Sequence, residues 1–300
     1  MSLLSRFLPP LTPDLGGACS LLAPMGGLVV IHDSAGCAEN YAVFDEPRRP
    51  VPVFSSALMR MEAILGDEEA LLRKTEVAAR RLSPRFVALV GSPVPDMLGT
   101  DFAALAAELE SRCGVPVLGL PCGGYRPYDV GVSDALCAMR DRFALLPSPA
   151  QSSAPLVLGS TPLDRPDLPA QSFEDILHAR SAKSAVVASY GGLAAARLLG
   201  IPYDLAPAPA FPAQGHTLVL GEQVFAVTAA SACHGVVGVV ASYDPALGGR
   251  HLDTEAKIIA ALAEGWDTVV GDPLYRALVP KGTCFIPHKH PALSSFRKVE

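Results

Sequence analysis

Three groups able to do chemistry fall within six residues: the imidazole of His32, the carboxylate of Asp33 and the thiol of Cys37, which follows Gly36. Together they offer a proton carrier, an acid or base, and a soft metal ligand or nucleophile. They stand directly after an uncharged run, residues 28–31, which reads as a buried strand. In open parallel α/β sheets, ligands collect beyond the carboxyl ends of the strands, so a site is expected in residues 32–37. Taken alone, the residues also admit a plainer reading. A cysteine after a strand is an ordinary small buried hydrophobe, and an Asp there is an ordinary helix cap.

The remaining thiols are Cys19, Cys113, Cys122, Cys137, Cys233 and Cys284. Seven scattered cysteines without a C-x-x-C pair make neither a disulfide framework nor a zinc-finger site. Cys122 is of interest because it too follows a strand-like run, residues 115–121. Cys19 lies in Gly16-Gly17-Ala18-Cys19-Ser20, which reads as a flexible loop after an extended Pro- and Gly-rich arm, residues 1–18. The tract Pro287-His288-Lys289-His290 resembles a metal-binding run only weakly and reads as a solvated tail.

The positioning elements follow in order. Strands are expected at residues 53–56, 86–92 and 115–121, with helices over about 68–82, from a Thr100 cap to Gly114, and from a Ser133 cap to about 143. Residues 40–50 read as a loop over the site, and residues 93–99 as another loop. Alternation at intervals of roughly 30 residues is the mark of βαβ units and a parallel sheet. Residues 147–153 read as a linker, and residues 206–212 as a second break. The expectation is an α/β protein of three Rossmann-like, parallel-sheet domains around a central cleft. They span 1–150, with the candidate ligand cysteines, then 151–212 and 213–300.

Composition narrows function. The 300 residues are 18% charged with a net charge of −6, and no basic stripe exists to neutralise phosphates, so nucleic-acid binding is not expected. Pro24 and four glycines interrupt residues 15–31, so no membrane span is expected, and the N-terminus lacks a secretory pattern; the expected location is the cytoplasm. No phosphate-binding P-loop or dinucleotide fingerprint is present. Ser56 and Ser92 lack the G-x-S-x-G elbow of a hydrolase nucleophile. The Gly123-Gly124 and Gly191-Gly192 pairs read as turn chemistry.

Several segments together resemble the nitrogenase component 1 superfamily, which includes nitrogenase subunits, dark-operative protochlorophyllide reductase subunits and the reductive cyclase of nickel tetrapyrrole synthesis. They are His32-Asp33-Ser34-Ala35-Gly36-Cys37, residues 61–71, residues 91–102, Val115-Pro116-Val117, Leu220-Gly221-Glu222-Gln223, Val270-Gly271-Asp272-Pro273 and Pro287-His288. The chain is similar in particular to the short nitrogenase-component-1-like oxidoreductases.

The resemblance implies a twofold dimer, with itself or with a related chain, and an iron–sulfur cluster near the subunit interface. It maps one cluster ligand onto Cys37 and an upstream one onto Cys19, while a third ligand position falls on Pro93, which cannot ligate. Cys19 and Cys37 from two chains would supply the four thiolates of a shared [4Fe–4S] cluster. Without Cys19, Cys37 would need help from Asp33, Cys122 or another subunit.

The resemblance further implies electrons delivered by a separate P-loop iron–sulfur ATPase and a small-molecule substrate reduced between the domains. His32 and Asp33 would supply protons or hydrogen bonds to the thiolates. The alternative is a noncatalytic scaffold or binding protein for a metal cofactor or tetrapyrrole-like ligand, since one fold serves both. An interaction subunit that has lost its cluster is a further alternative.

Overall fold

The structure is a computed structural model that describes residues 5–34, 53–144, 154–161 and 168–292. In the first part, α1 (Asp14–Leu22) precedes β1 (Leu28–Ile31), β2 (Val53–Ser55), α2 (Arg60–Leu65) and α3 (Glu69–Leu82). Then come β3 (Val87–Val90), α4 (Pro93–Leu98), α5 (Phe102–Cys113), β4 (Val117–Leu120) and α6 (Tyr128–Phe143). The four strands form one parallel sheet in the order β2-β1-β3-β4.

Strand alternation decides the layers. Val29 and Ile31 face a core with Leu15, Leu21, Tyr128 and Leu136 from α1 and α6. Leu28 and Val30 face the other way, onto Leu71, Leu72, Leu105 and Leu109 from α3 and α5. Both faces are covered, which is why the strands are apolar throughout.

The second part holds β5 (Leu156–Leu158), α7 (Phe173–His178), β6 (Ala185–Val187), α8 (Tyr190–Leu199) and β7 (Tyr203–Leu205), with sheet order β5-β6-β7. The third holds β8 (Thr217–Gly221), α9 (Gln223–Cys233), β9 (Val236–Val239), β10 (Arg250–His251), α10 (Glu255–Leu262), β11 (Thr268–Gly271) and β12 (Cys284–Pro287), in the order β10-β9-β8-β11-β12. All strand pairs are parallel, so the protein is α/β with three parallel sheets. One hydrophobic core runs continuously from the first sheet to the second, through Leu136, Leu158, Val187 and Ala196.

Several sequence expectations need correction. Residues 14–22, expected as arm and loop, are a fully buried helix. Gly17 lies against the Tyr128 carbonyl and Gly131 against Asp14, so these glycines let α1 and α6 cross at backbone contact rather than loosen a loop. Cys19 is therefore a mid-helix core residue. Residues 93–99 form a helix because Pro93 and Pro95 both fall in its first turn, where a missing N–H costs nothing, and Gly99 ends it at φ 74°.

Asp101, not Thr100, caps α5, accepting from the amides of Ala103 and Ala104. The helix expected to be capped by Ser133 begins nearly two turns earlier, at Tyr128. Gly191 and Gly192 lie in α8, where the former packs on Val132 and the latter on the Leu158 carbonyl. Short β7 and β10 were not expected. The tract at 287–290 is no solvated tail, since His290 is buried. The expected loop at 40–50 and linker at 147–153 lie outside the described residues.

An N-terminal strap closes the fold. The amides of Arg6, Phe7 and Leu8 each donate to the Glu255 carboxylate at 2.8 Å, and Leu8 joins the core of the third sheet with Leu218, Ile258 and Trp266. The Thr12 amide donates to the Ala292 carbonyl at 2.6 Å.

Candidate functional site

His32 and Asp33 leave β1 at the carboxyl edge of the first sheet, and both are buried. Neighbouring strands supply their partners because parallel register brings the next residues alongside. Ile31 pairs with Ser55 on one side and Val90 on the other. One residue on, His32 Nδ1 lies 2.9 Å from Ser56 Oγ, and the Ser92 hydroxyl donates to the His32 carbonyl at 2.8 Å. Ser56 Oγ also lies 3.2 Å from both the amide and the carbonyl of Asp33. The Leu58 amide donates to that same carbonyl at 2.8 Å. Between Ser56 and Leu58, Ala57 adopts φ 51°, a left-handed conformation that an alanine takes only under constraint.

The electrostatics favour a neutral imidazole. Burial is the largest influence and lowers the His32 pKa, against a smaller opposing pull from Asp33. The ring meets Phe102 edge-on at 6.2 Å. Further out, the Lys74 ammonium donates to the Ser56 carbonyl at 3.0 Å and sits 3.6 Å from Glu62. Glu62 Oε2 accepts from the Met59 amide at 2.8 Å, closing the first turn of α2 and holding its own pKa down. Segments 61–71 and 91–102 thus both converge on His32.

Ser56, Ser92, Glu62 and Lys74 line the candidate site; the sequence reading weighs Ser56 and Ser92 only as hydrolase nucleophiles and gives Glu62 and Lys74 no role. A usable signal exists: Ser56 and Ser92 each stand just after a strand at one sheet edge.

Gly36 and Cys37 lie outside the described residues, which end at Ser34 on this side. Cys122 is in the turn after β4, buried, and burial pushes its thiol up to about 12. Gly91 lies against the Cys122 backbone, and Gly124 lies against Pro93. The Asp14 carboxylate, at the head of α1, ties this turn down. It accepts from the Gly124 amide at 2.9 Å and from Arg126 Nε at 3.0 Å. Cys19 sits more than one helical turn beyond Asp14, about 8 Å along the axis, inside the core.

As a fit to a cubane cluster, these residues are incomplete on their own. Cys19 and Cys122 are core thiols, Pro93 offers no donor atom, and among the described residues no group of three or more His, Cys, Asp or Glu side chains is placed to hold a metal ion. A cluster would have to be centred on Cys37 and completed from a second chain.

The rim of this edge is apolar and open. Met59, Met61, Ile64 and Leu65 around α2, and Met97 and Leu98 at the end of α4, are each more than half exposed. No residue of α2 is buried. Among the described residues, no helix is long and apolar enough to cross a membrane.

Two solved structures described as nitrogenase Cp1, at pH 6.5 and at pH 5, superpose on the whole of this chain with a TM-score of 0.72 and 12% identity. They cover 90% and 86% of their own chains respectively. At that identity the likeness carries the fold. No curated protein matches the chain. The pattern that defines the nitrogenase component 1 type oxidoreductases matches residues 14–166, which span α1, the whole first sheet, His32, Asp33 and β5. With half of the chain matched, the protein belongs to the nitrogenase component 1 type oxidoreductase family.

Proposed function

We propose that the chain is a nitrogenase-like electron-accepting component that works as a dimer, with a second copy or a related chain covering the open edge of the first sheet. The observation that carries this reading is the coincidence of two features at that edge. A rigidly held His32-Asp33 pair leads towards Cys37, and around it six large apolar side chains are exposed on α2, α4 and Met59. Exposed apolar patches rimmed by polar residues mark interaction surfaces.

In this reading Cys37 would hold a [4Fe–4S] cluster shared with the second chain, and Cys19, buried in α1, is the further thiol that the resemblance offers as a ligand and that the test below examines. When bound, such a cluster supplies one-electron transfer, with electrons coming from an ATP-dependent iron–sulfur partner that carries the P-loop this chain lacks. The chain's own residues do the rest. Ser56 and Ser92 orient His32, burial keeps its imidazole neutral, and Nε2 or the Asp33 carboxylate would offer hydrogen bonds to the neighbouring thiolates or a proton to a small-molecule substrate. The units 1–150, 151–212 and 213–300 would frame the substrate cleft.

The test is iron and acid-labile sulfide content, with electron paramagnetic resonance of the dithionite-reduced protein, on anaerobically purified wild type and Cys37→Ala. The expected result is about four irons per dimer, lost in Cys37→Ala. Cys19→Ala then separates a ligand from a core residue: a ligand loses iron, while a core cysteine loses stability alone. Absence of iron after reconstitution overturns the electron-transfer reading. It leaves the noncatalytic scaffold for a metal cofactor or tetrapyrrole-like ligand, which tight binding of an unaltered ligand would reveal.

A further inference from the structure

A second titratable centre lies away from His32, where helices from all three parts meet. Asp129, in the first turn of α6, is buried. Glu222, between β8 and α9, is 5% exposed, and its carboxylate is fully engaged. Oε1 accepts from the Tyr190 amide at 2.7 Å and the Val224 amide at 3.0 Å, and Oε2 accepts from the Phe225 amide at 3.1 Å. One carboxylate therefore caps α9 and also ties down the start of α8. Three donated amide bonds satisfy this carboxylate.

Asp129 is less well served. Its Oδ2 is buried without an in-line hydrogen-bond partner, and so is Ser242 Oγ. Burial and the Glu222 charge raise the Asp129 pKa to about 7, while the amide and hydroxyl of Ser242 and its own amide pull weakly the other way. The remaining group facing it is Tyr190 on α8, whose own pKa burial raises and whose neighbours Arg197 and Asp244 form an ion pair. Among the described residues, no cation is found to offset a second charge on Asp129. Close packing leaves no slack, because Gly191 of α8 sits against Val132 and the Asp129 carbonyl.

We propose that Asp129 and Glu222 form a proton-gated latch that holds α6, α8 and α9, and with them the three sheets, in the arrangement seen here. With Asp129 protonated, Glu222 keeps its grip on the amides of Tyr190, Val224 and Phe225. When the proton leaves to bulk water, two carboxylate charges share one dry site. The site relieves this by opening, which frees the start of α8 and α9. The latch is independent of any cluster, so its failure and that of the electron-transfer reading are read by different measurements.

The experiment is amide hydrogen exchange on the full chain, corrected for intrinsic pH dependence, at about pH 6 and about pH 8.5. A carboxyl that titrates near 7 when closed and near 3.8 when open raises the opening equilibrium about tenfold between these values, then levels off. The Tyr190, Val224 and Phe225 amides are expected to show that rise in wild type and none in Asp129→Asn. The Leu8 amide, held by Glu255, is expected to show none in either.

Equal protection at both pH values in wild type, or the same rise in Asp129→Asn, overturns the proposal. If Asp129→Asn does not fold, the infrared band of a protonated carboxyl in wild type decides. Loss of that band with the same midpoint as the exchange supports the latch. Absence of the band at pH 6, or a different midpoint, overturns it.

Discussion

The carboxyl edges of the first and third sheets are built alike and finished differently. Each is a parallel sheet whose motif residues sit just beyond the strands. At the first edge, His32 and Asp33 are buried and clamped by Ser56 and Ser92, and the rim around them carries exposed methionines and leucines. At the third edge the motif residues consume one another. Glu222 is saturated by three amides, and Asp272 accepts from the amides of Leu274 and His290. The Ala292 amide donates to His290 Nδ1, which leaves the His290 proton on Nε2 facing the Val240 carbonyl.

His288 stacks on Phe225 at 3.6 Å, and the space left over there is about 10 Å3, room for about one water. The same architecture thus yields one edge with an exposed apolar rim and one whose motif residues are bonded within the chain. Motif residues in this fold are as often locks as reagents.

That contrast can be broken most sharply at Glu222. Glu222→Ala strips two helix starts of their acceptor and leaves buried amides unpaired, so a loss of about 3 kcal/mol in chemical denaturation is expected. Glu222→Gln, which retains acceptor oxygen, should lose less. Ser56→Ala removes the partner of His32 Nδ1 and of the Asp33 amide, with an expected loss of about 1–2 kcal/mol. If the first edge were as self-sufficient as the third, the two losses would match.

Next in size are the pH slopes, which should run in opposite directions. The lowered pKa of His32 means that the unfolded chain takes up a proton first. Its stabilisation is complete above about pH 6.5 and is lost as the pH falls below that value. The raised pKa of Asp129 means that the folded chain holds its proton longer. Stability falls as pH rises from about 3.8 to about 7 and is level beyond. Melting curves across pH should therefore flatten on the acid side in His32→Gln, and between about 4 and 7 in Asp129→Asn.

The smallest effect on stability belongs to the open rim. Ile64→Glu should change unfolding of the isolated chain by no more than about 0.5 kcal/mol, because Ile64 is exposed, yet abolish association in sedimentation analysis. An unchanged oligomeric state would remove the interface from the proposal.

Much of the scaffold was legible because it rests on local rules. The runs at 28–31, 87–90 and 117–120 are buried on both faces and so are apolar throughout, and Gly114 ends α5 in the left-handed conformation that its position signals. Glycine misled where its use was tertiary. Gly16-Gly17 read as a flexible loop and Gly191 as part of a turn but lie in helices, because nothing local distinguishes a flexible glycine from one that admits a neighbouring backbone. Pro93 and Pro95 misled for a different reason, since proline marks a loop and a first helical turn alike.

Of the candidate site, His32 and Asp33 were readable as strand-end residues. Their serine clamps were less so, since Ser56 and Ser92 acquire meaning only when the strand order β2-β1-β3 places them on either side of β1. Asp129 and Glu222 lie 93 residues apart on different sheets' helices, and no sequence pattern announces that they share a site.

The strap at residues 6–8 bears on how the chain reaches this structure. Its bonds to Glu255 close a loop of 247 to 249 residues, whereas the strands of each sheet pair over far shorter separations. Contacts of long sequence separation form late, because the entropy of closing the loop must be met before any bond rewards it. Residues 6–8 are synthesised well before Glu255 leaves the ribosome. On that ground the strap is expected to close late, once α10 exists to receive it.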